Sequence, residues 1–162
     1  MDDTADRVAI TALQGRYADT VTRRSWAELP ALFTADCTIR LDLRERGMME
    51  LAGADALVEM LQRSMARFDW FLFAIVSATV EVDPAAGTAN GRLYISELRH
   101  DTDDEPTSTQ TYGLYQDTYR RDDGVWRFGG IGGADRCATG RRHTSDGLTD
   151  AANASGGLPV YA

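Results

Sequence analysis

The chain has 162 residues, 43% of them hydrophobic, and a formal net charge of −8 at pH 7. This length suits one domain with a substantial core and is short for two. The acidic balance argues against a nucleic-acid-binding protein, because binding phosphates requires a basic surface. All 17 basic residues are arginine, which excludes a Schiff-base lysine, a pyridoxal-phosphate anchor and a Walker-type phosphate loop.

The histidines and cysteines are too few and too scattered for a metal site. His100, His143, Cys37 and Cys137 have none of the spacings of a zinc site, so we expect neither a metal nor an organic cofactor. The apolar run 70–80 is shorter than the ~20 residues that span a bilayer. No signal-peptide pattern precedes the first predicted helix. We therefore expect a cytoplasmic protein without a membrane partner.

Hydrophobic spacing predicts three helices in the first half of the chain. Residues 4–22 carry apolar side chains at helical intervals. A Ser-x-x-Glu capping box from Ser25 to Glu28 predicts a second, short helix, and residues 54–68 form the third. Strands are predicted at 38–44, 71–82 and 88–98, with a turn at 44–53 and an acidic loop at 99–108.

The stretch 111–131 predicts the β-hairpin around which the other elements are arranged. Asp-Gly between alternating segments is a strong hairpin signal, so Asp123-Gly124 forms the turn. A two-residue turn sets the register of the hairpin through the pairs Arg121–Trp126 and Tyr119–Phe128. One face is then mainly polar, whereas the other is aromatic with polar groups set into it and comprises Gly113, Tyr115, Asp117, Tyr119, Arg121, Trp126 and Phe128.

Several short motifs, in this order, are similar to those of one known family. They are Arg16-Tyr17-Ala18 followed by Trp26, then LFTADCT at 32–38 and YQDTYRRDDGVWRF at 115–128. The chain resembles the SnoaL-like group in the superfamily of nuclear transport factor 2, scytalone dehydratase and ketosteroid isomerase. The resemblance implies an α+β fold in which a strongly bent antiparallel sheet forms a cone closed by the three helices. This domain would cover residues 1–135, and residues 136–162 would form a Gly/Ala/Ser-rich arm or tail.

The resemblance also implies where a catalytic site would lie in the cone. Tyr17 matches the tyrosine with which ketosteroid isomerases stabilise an oxyanion, although a tyrosine packed in the core is equally compatible with the pattern. Leu41 occupies the place of the isomerases' proton-abstracting aspartate. Thr22 and Phe73 occupy the places of the carboxylate and the histidine that dehydratases and dehydrochlorinases use as a pair. The usual proton-transferring pair is therefore missing.

The other candidates follow from the family positions and from the predicted facing of the strands. Tyr17 and Tyr115 are predicted hydrogen-bond donors. Asp117 and Arg121, which matches a dehydrochlorinase arginine, are predicted to form a charged pair in the pocket. Glu97 would point inward only in the opposite strand register. The predicted binding residues are Thr22, Trp26, Leu41, Trp70, Phe73, Tyr94, Ser96, Gly113 and Tyr119.

Two classes of function remain compatible with these features. One is a cofactor-free lyase, isomerase or cyclase that acts on a largely apolar, ring-containing small molecule. Without the usual pair, a cyclase that mainly folds a reactive substrate fits better than a proton-abstracting dehydratase. The alternative is a binding protein, or a dimeric assembly module, with the same pocket and no chemistry. For both, the resemblance implies a homodimer that pairs through the outer, mainly polar face of the sheet.

Overall fold

A computed structural model describes residues 2–42, 47–101, 107–134 and 142–144 of the chain. The elements are α1 (Thr4–Arg23), a 3-10 helix (Leu29–Leu32), β1 (Phe33–Asp42), β2 (Met48–Ala52), α2 (Ala54–Met65), β3 (Phe68–Asp83), β4 (Thr88–Asp101), β5 (Thr107–Asp122), β6 (Val125–Ala134) and β7 (Arg142–Thr144). The strands form one sheet in the order β2-β1-β6-β5-β4-β3, and β7 pairs with β5 outside this path. β1 and β6 run parallel, and the other neighbours run antiparallel. The predicted α+β fold class is confirmed.

Two elements of the first half differ from the prediction. The helix predicted from Ser25 is the 3-10 helix Leu29–Leu32, which has Pro30 in its first turn and is too short for an α-helical ladder. The predicted turn at 44–53 contains β2, which pairs with β1. Because the side chains of β2 are mostly exposed, its sequence has no alternation that would reveal a strand. Of the predicted arm at 136–162, the structure describes only β7.

The β5–β6 hairpin has the predicted turn. Asp123 and Gly124 have positive φ angles of 52° and 79°, as both central residues of a type I′ turn require. The predicted register is confirmed by the pairs Arg121–Trp126 and Tyr119–Phe128.

Both α-helices cover one side of the sheet, which we call the inner face. α1 has its buried apolar side chains at helical intervals, and α2 buries Leu57 and Met65. Aromatic rings from β1, β3, β5 and β6 pack against α1 between the helix and the sheet. The α1 residues buried there are Ile10, Leu13, Tyr17 and Val21.

β4 shows how the sheet separates its two faces. Leu93 and Ile95 are buried on the inner face, whereas Tyr94 between them is 50% exposed on the opposite, outer face. Continuing this alternation places Glu97 and Arg99 on the inner face as well. The inner face of β4 is therefore apolar along most of its length and charged at its end.

Candidate functional site

A cavity of about 310 Å³ lies between α1, α2 and the inner face of the sheet. Its size and its mixture of apolar wall and few polar groups are typical of binding sites for small organic molecules. The apolar wall consists of Ile39, Leu41, Leu57, Met60, Leu61, Met65, Phe68, Phe71 and Ile131. The polar lining consists of Tyr17, Ser64, Arg67, Glu97, Arg99 and Tyr115.

Tyr17 borders the cavity from α1 and is only 6% exposed. Its ring centroid lies 5.5 Å from that of Phe73 and 5.6 Å from that of Phe128. Burial raises the pKa of Tyr17 well above its usual range, and the charges of Glu97 and Asp117 raise it further. The phenol therefore stays protonated, and it has no hydrogen-bond partner among the described residues. Tyr17 is placed to donate a hydrogen bond to a ligand.

Thr22 and Phe73, the positions at which the resemblance predicts a carboxylate–histidine pair, are direct neighbours in this structure. The backbone N–H of Phe73 donates to Thr22 Oγ1 at 3.0 Å. The Phe73 ring packs against Tyr17 and lies 5.8 Å from the ring of Tyr115. Neither Thr22 nor Phe73 transfers protons, so any acid–base chemistry has to come from another side chain.

Glu97 and Arg99 are the charged side chains of β4 that line the cavity. Arg99 Nε donates to Glu97 Oε2 at 3.1 Å, and Arg99 Nη2 donates to the same oxygen. Glu97 Oε1 accepts no hydrogen bond from the described residues. Arg67, whose side chain is 62% exposed, stands at the solvent edge and stacks over the Phe68 ring at 4.8 Å. The cavity thus contains an ion-paired carboxylate that keeps one oxygen available.

Asp117 lies on the inner face, is 2% exposed and does not line the cavity. Gln14 Nε2 donates to the Tyr119 hydroxyl at 2.8 Å, and this hydroxyl donates to Asp117 Oδ2 at 3.0 Å. Within the described part of the chain, Asp117 Oδ1 has no hydrogen-bond partner. Burial raises the pKa of Asp117 to about 7, although the hydrogen bond from Tyr119 lowers it. The Tyr119 ring fits because Gly91 has no side chain, since a Cβ there would lie 2.8 Å from a ring carbon.

The predicted pair between Asp117 and Arg121 is wrong. Arg121 Nη1 donates to Asp6 Oδ1 at 2.9 Å, and Arg121 Nη2 donates to the carbonyl of Pro84 at 2.9 Å. The indole N–H of Trp126 also donates to Asp6. Residues four apart on a strand are separated by roughly 13 Å at 3.3 Å per residue, which is too far for an ion pair. Through these hydrogen bonds, Arg121 connects the start of α1 to the hairpin. It does not line the cavity.

The prediction that Trp70, Tyr94 and Ser96 line the pocket is also wrong. Trp70 and Tyr94 are each 50% exposed on the outer face, and Ser96 accepts a hydrogen bond from Gln110. The reason is that side chains alternate between the two faces along β4. Because the side chains on either side of Tyr94 are buried on the inner face, Tyr94 and Ser96 point to the outer face.

The other predicted site residues divide into those that line the cavity and those that surround it. Tyr17, Leu41 and Tyr115 line it. Trp26 packs against the core without lining the cavity. Gly113 is buried and lies opposite Ile95 in the β4–β5 register.

Two cavity residues of β4 differ from the prediction, because Arg99 was not among the candidates and Glu97 was predicted to face outward. The signal was available, because Ala89, Leu93 and Ile95 alternate with the polar residues Asn90 and Arg92, and the same series of every second residue continues to Glu97 and Arg99. The α2 side of the cavity could not be derived in this way, since it depends on how the helix crosses the sheet.

Within the described ranges, no group of three or more His, Cys, Asp or Glu side chains is arranged to hold a metal ion. Of the helices that the structure describes, none combines the length and the apolar character needed to cross a membrane.

Residues 2–130 match the description of the SnoaL-like domain family. The chain belongs to this family. Comparison with curated protein sequences finds no match. The family assignment agrees with the motifs that led to the same resemblance in the sequence.

Solved structures with the same fold include members of the nuclear transport factor 2-like superfamily. A hexachlorocyclohexane dehydrochlorinase, LinA-type3 from Novosphingobium barchaimii, superposes with a TM-score of 0.73 at 20% identity, covering 87% of this chain and 92% of the other. A nuclear transport factor 2-like superfamily protein from Salmonella enterica has a TM-score of 0.71 at 14% identity, covering 86% and 96%. The Kfla4162 protein from Kribbella flavida has a TM-score of 0.73 at 22% identity, covering 84% and 94%. At these identities the likeness establishes the fold.

Proposed function

We propose that this protein is a cofactor-free lyase, isomerase or cyclase whose substrate is a largely apolar, ring-containing molecule. The observation that carries the proposal is the cavity of about 310 Å³, in which an apolar wall surrounds a few convergent polar groups. Membership of the SnoaL-like family and the likeness to a dehydrochlorinase support the reaction class.

Tyr17 and Tyr115 are the proposed hydrogen-bond donors to an oxygen of the substrate. Both line the cavity, and both pack against Phe73, which fixes their rings. A neutral phenol in an apolar site stabilises negative charge that develops on a carbonyl oxygen, without the help of a metal. This arrangement suits reactions that pass through an enolate or a similar oxyanion.

A binding protein without chemistry is the second candidate. It is favoured by the side chains of Thr22 and Phe73, which leave the usual proton-transferring places without an ionisable group. This candidate uses the same cavity and ligand class, so the two are distinguished by turnover and not by binding.

Binding in the cavity is tested with ring compounds of suitable size, such as β-tetralone, β-naphthol and indole, by isothermal titration calorimetry. We expect at least one to bind to the wild type and to lose affinity in Leu61→Trp, which fills the cavity. Glu59→Trp is the matched control, because Glu59 is exposed on the same helix. Equal affinity in both variants, or no binding of any such compound to the wild type, would contradict the proposed site.

We further propose that the protein is a homodimer that pairs through the outer face of the sheet. The apolar side chains exposed there support a covered surface. They differ from the mainly polar face expected from the sequence, because the outward residues of β3 and β4 add aromatic and aliphatic groups to those of β5. The most exposed of these side chains are Trp70, Val76, Tyr94 and Tyr112.

A further inference from the structure

Among the described residues that line the cavity, Glu97 is the one carboxylic acid. The places of the family's proton-transferring pair are taken by Thr22 and Phe73, and Asp117 lies outside the lining. A reaction in this cavity that removes a proton therefore depends on Glu97, on a tyrosine or on water. Of these, a carboxylate is the strongest base near neutral pH, because phenols are protonated there.

The position of Glu97 corresponds closely to that of the missing base. In the β3–β4 register Glu97 lies directly opposite Phe73, which occupies the histidine position. Neighbouring strands are roughly 4.8 Å apart. Glu97 on β4 therefore places an ionisable group on the same part of the inner face as Phe73 on β3. Tyr17 stacks edge-on against Phe73 from above the sheet, with 5.5 Å between the ring centroids.

Arg99 holds the Glu97 carboxylate by a single oxygen. Its Nε and Nη2 both donate to Oε2, and Oε1 receives no hydrogen bond from the described part of the chain. The cross-strand neighbours of Glu97, Phe73 and Thr111, carry no charge. Arg99 therefore orients the Glu97 carboxylate, while Oε1 remains available to a ligand.

We propose that Glu97 is the general base of this site, that Arg99 positions it, and that the substrate is a cyclic carbonyl compound with an acidic C–H next to the carbonyl group. This inference rests on the proposed function. Glu97 Oε1 takes the proton, so that the C–H bond breaks, an O–H bond forms and the electron pair moves to the carbonyl oxygen. Tyr17 donates a hydrogen bond to the resulting enolate oxygen.

The enolate can react in two ways, and in both the proton and the electron pair are accounted for. In a substrate with a carbon–carbon double bond next to the deprotonated carbon, the proton returns from Glu97 to the far carbon of that double bond; the electron pair moves back from the oxygen, the double bond shifts towards the carbonyl group, and an isomerisation is complete. Departure of a leaving group with its electron pair from the carbon next to the deprotonated one completes an elimination, after which Glu97 releases its proton to water or to the leaving group. Neither outcome needs an oxidant, a reductant or a second substrate.

The test follows deuterium incorporation into β-tetralone in heavy water by mass spectrometry, because proton abstraction exchanges hydrogen even when no net product forms. We expect the wild type to accelerate exchange and Glu97→Gln to lose the acceleration by roughly a hundredfold or more. Glu97→Asp should keep part of it. Glu81→Gln is the matched control, since Glu81 is exposed on the outer face of β3, and it should exchange like the wild type.

The positioning role of Arg99 is tested by the dependence of the same exchange on the concentration of β-tetralone. In Arg99→Gln the maximal exchange rate should fall while the concentration that gives half of it changes little, because the carboxylate loses the two N–H groups that orient it. Arg99→Lys should restore part of the maximal rate. A maximal rate in Arg99→Gln equal to that of the wild type would overturn the positioning role.

Binding and exchange separate this inference from the proposed function. Calorimetry should show β-tetralone binding to Glu97→Gln within about threefold of the wild-type Kd, since the amide keeps the shape of the side chain. If wild type binds β-tetralone and does not accelerate exchange, or if Glu97→Gln exchanges like wild type, the inference is overturned and the cavity remains a binding site. If no ring compound binds to the wild type, the proposed function fails first.

Discussion

The inner and outer faces of the sheet differ in how far their large side chains are packed against, or paired with, other side chains. On the inner face the rings of Tyr17, Phe73 and Phe128 pack against one another, and the cavity carboxylate of Glu97 has Arg99 as its partner. On the outer face large apolar side chains are exposed by 46% to 65%, and they are Trp70, Val76, Tyr94 and Tyr112.

This difference supports the proposal that the two faces serve two kinds of partner. A pocket with few, oriented polar groups suits a small molecule. An exposed apolar surface in the middle of a strand suits a second protein surface. Because successive side chains on a strand alternate, a displacement by one residue would exchange the two sets, so the function depends on the register.

The largest expected effect comes from placing a charge on the inner face. Phe73→Asp should lower the free energy of unfolding by roughly 4 kcal/mol or more, because it buries an unpaired carboxylate and removes ring contacts. Thr79→Asp places the same group at an exposed outer position of β3 and should cost about 1 kcal/mol or less. Urea denaturation followed by circular dichroism measures both. Similar losses in the two variants would contradict the assignment of the faces.

We expect the replacement of the buried Asp117 by its neutral isostere, asparagine, to raise the free energy of unfolding in a pH-dependent way. Burial raises the pKa of Asp117 from 3.8 to about 7, so the folded state binds the proton more tightly than the unfolded state. The stability of the wild type should therefore fall as the pH rises from about 4 to above 7. Asp117→Asn should be more stable than the wild type at pH 8, by at most roughly 4 kcal/mol at 1.36 kcal/mol per pKa unit. The gain should disappear near pH 4.

Urea titrations of both proteins at the two pH values check the prediction for Asp117. A difference that is the same at both pH values would show that burial does not change the pKa of the Asp117 carboxyl group, and that packing alone distinguishes the two side chains.

If the protein pairs through the outer face, a charge in place of one of the aromatic rings there should weaken the dimer. Tyr94→Glu should raise the dimer Kd by roughly thirtyfold or more, since a central aromatic anchor contributes about 2 kcal/mol. Thr88→Glu, at the exposed start of the same strand, is the control and should change it little. Sedimentation equilibrium measures both. A wild type that is monomeric at tens of micromolar (roughly, for typical homodimer affinities) would contradict pairing through this face.

The smallest effect concerns the hydroxyl groups of the cavity. Tyr17→Phe or Tyr115→Phe should weaken the binding of β-naphthol about fivefold, because one hydrogen bond contributes ~1 kcal/mol net. Stability should change little. Tyr112→Phe removes the same group from the outer face, where Tyr112 is 46% exposed, and should leave binding unchanged. Equal effects in all three variants, measured by calorimetry, would show that the compound does not distinguish the faces.

The sequence predicts the fold and the β5–β6 register correctly for a local physical reason. The two residues of the Asp123-Gly124 turn fix which side chains lie opposite one another from Asp122–Val125 to Tyr119–Phe128, beyond which a β-bulge shifts the register. Gly113, Tyr115, Asp117 and Tyr119 accordingly lie on the inner side of the strand.

The facing of β3 and β4 could not be transferred from family positions. A β-bulge between Ile75 and Ser77 shifts the alternation of β3 by one residue, and the connection between the strands is longer than a two-residue turn. Tyr94 and Ser96 were therefore predicted to face inward and Glu97 outward, the reverse of what the structure shows. The partner of Arg121 was missed because Asp6 is more than a hundred residues away in the chain and comes close only when α1 packs on the hairpin.

The most direct test of the central claim, that the inner cavity is the ligand site, is a crystal structure of the protein with bound β-tetralone. We expect the ring system between Leu57 and Phe71, with the carbonyl oxygen in hydrogen-bond contact with the Tyr17 hydroxyl and the neighbouring carbon facing Glu97 Oε1. A ligand seated on the outer face beside Trp70 or Tyr94, with the cavity free of it, would contradict the claim.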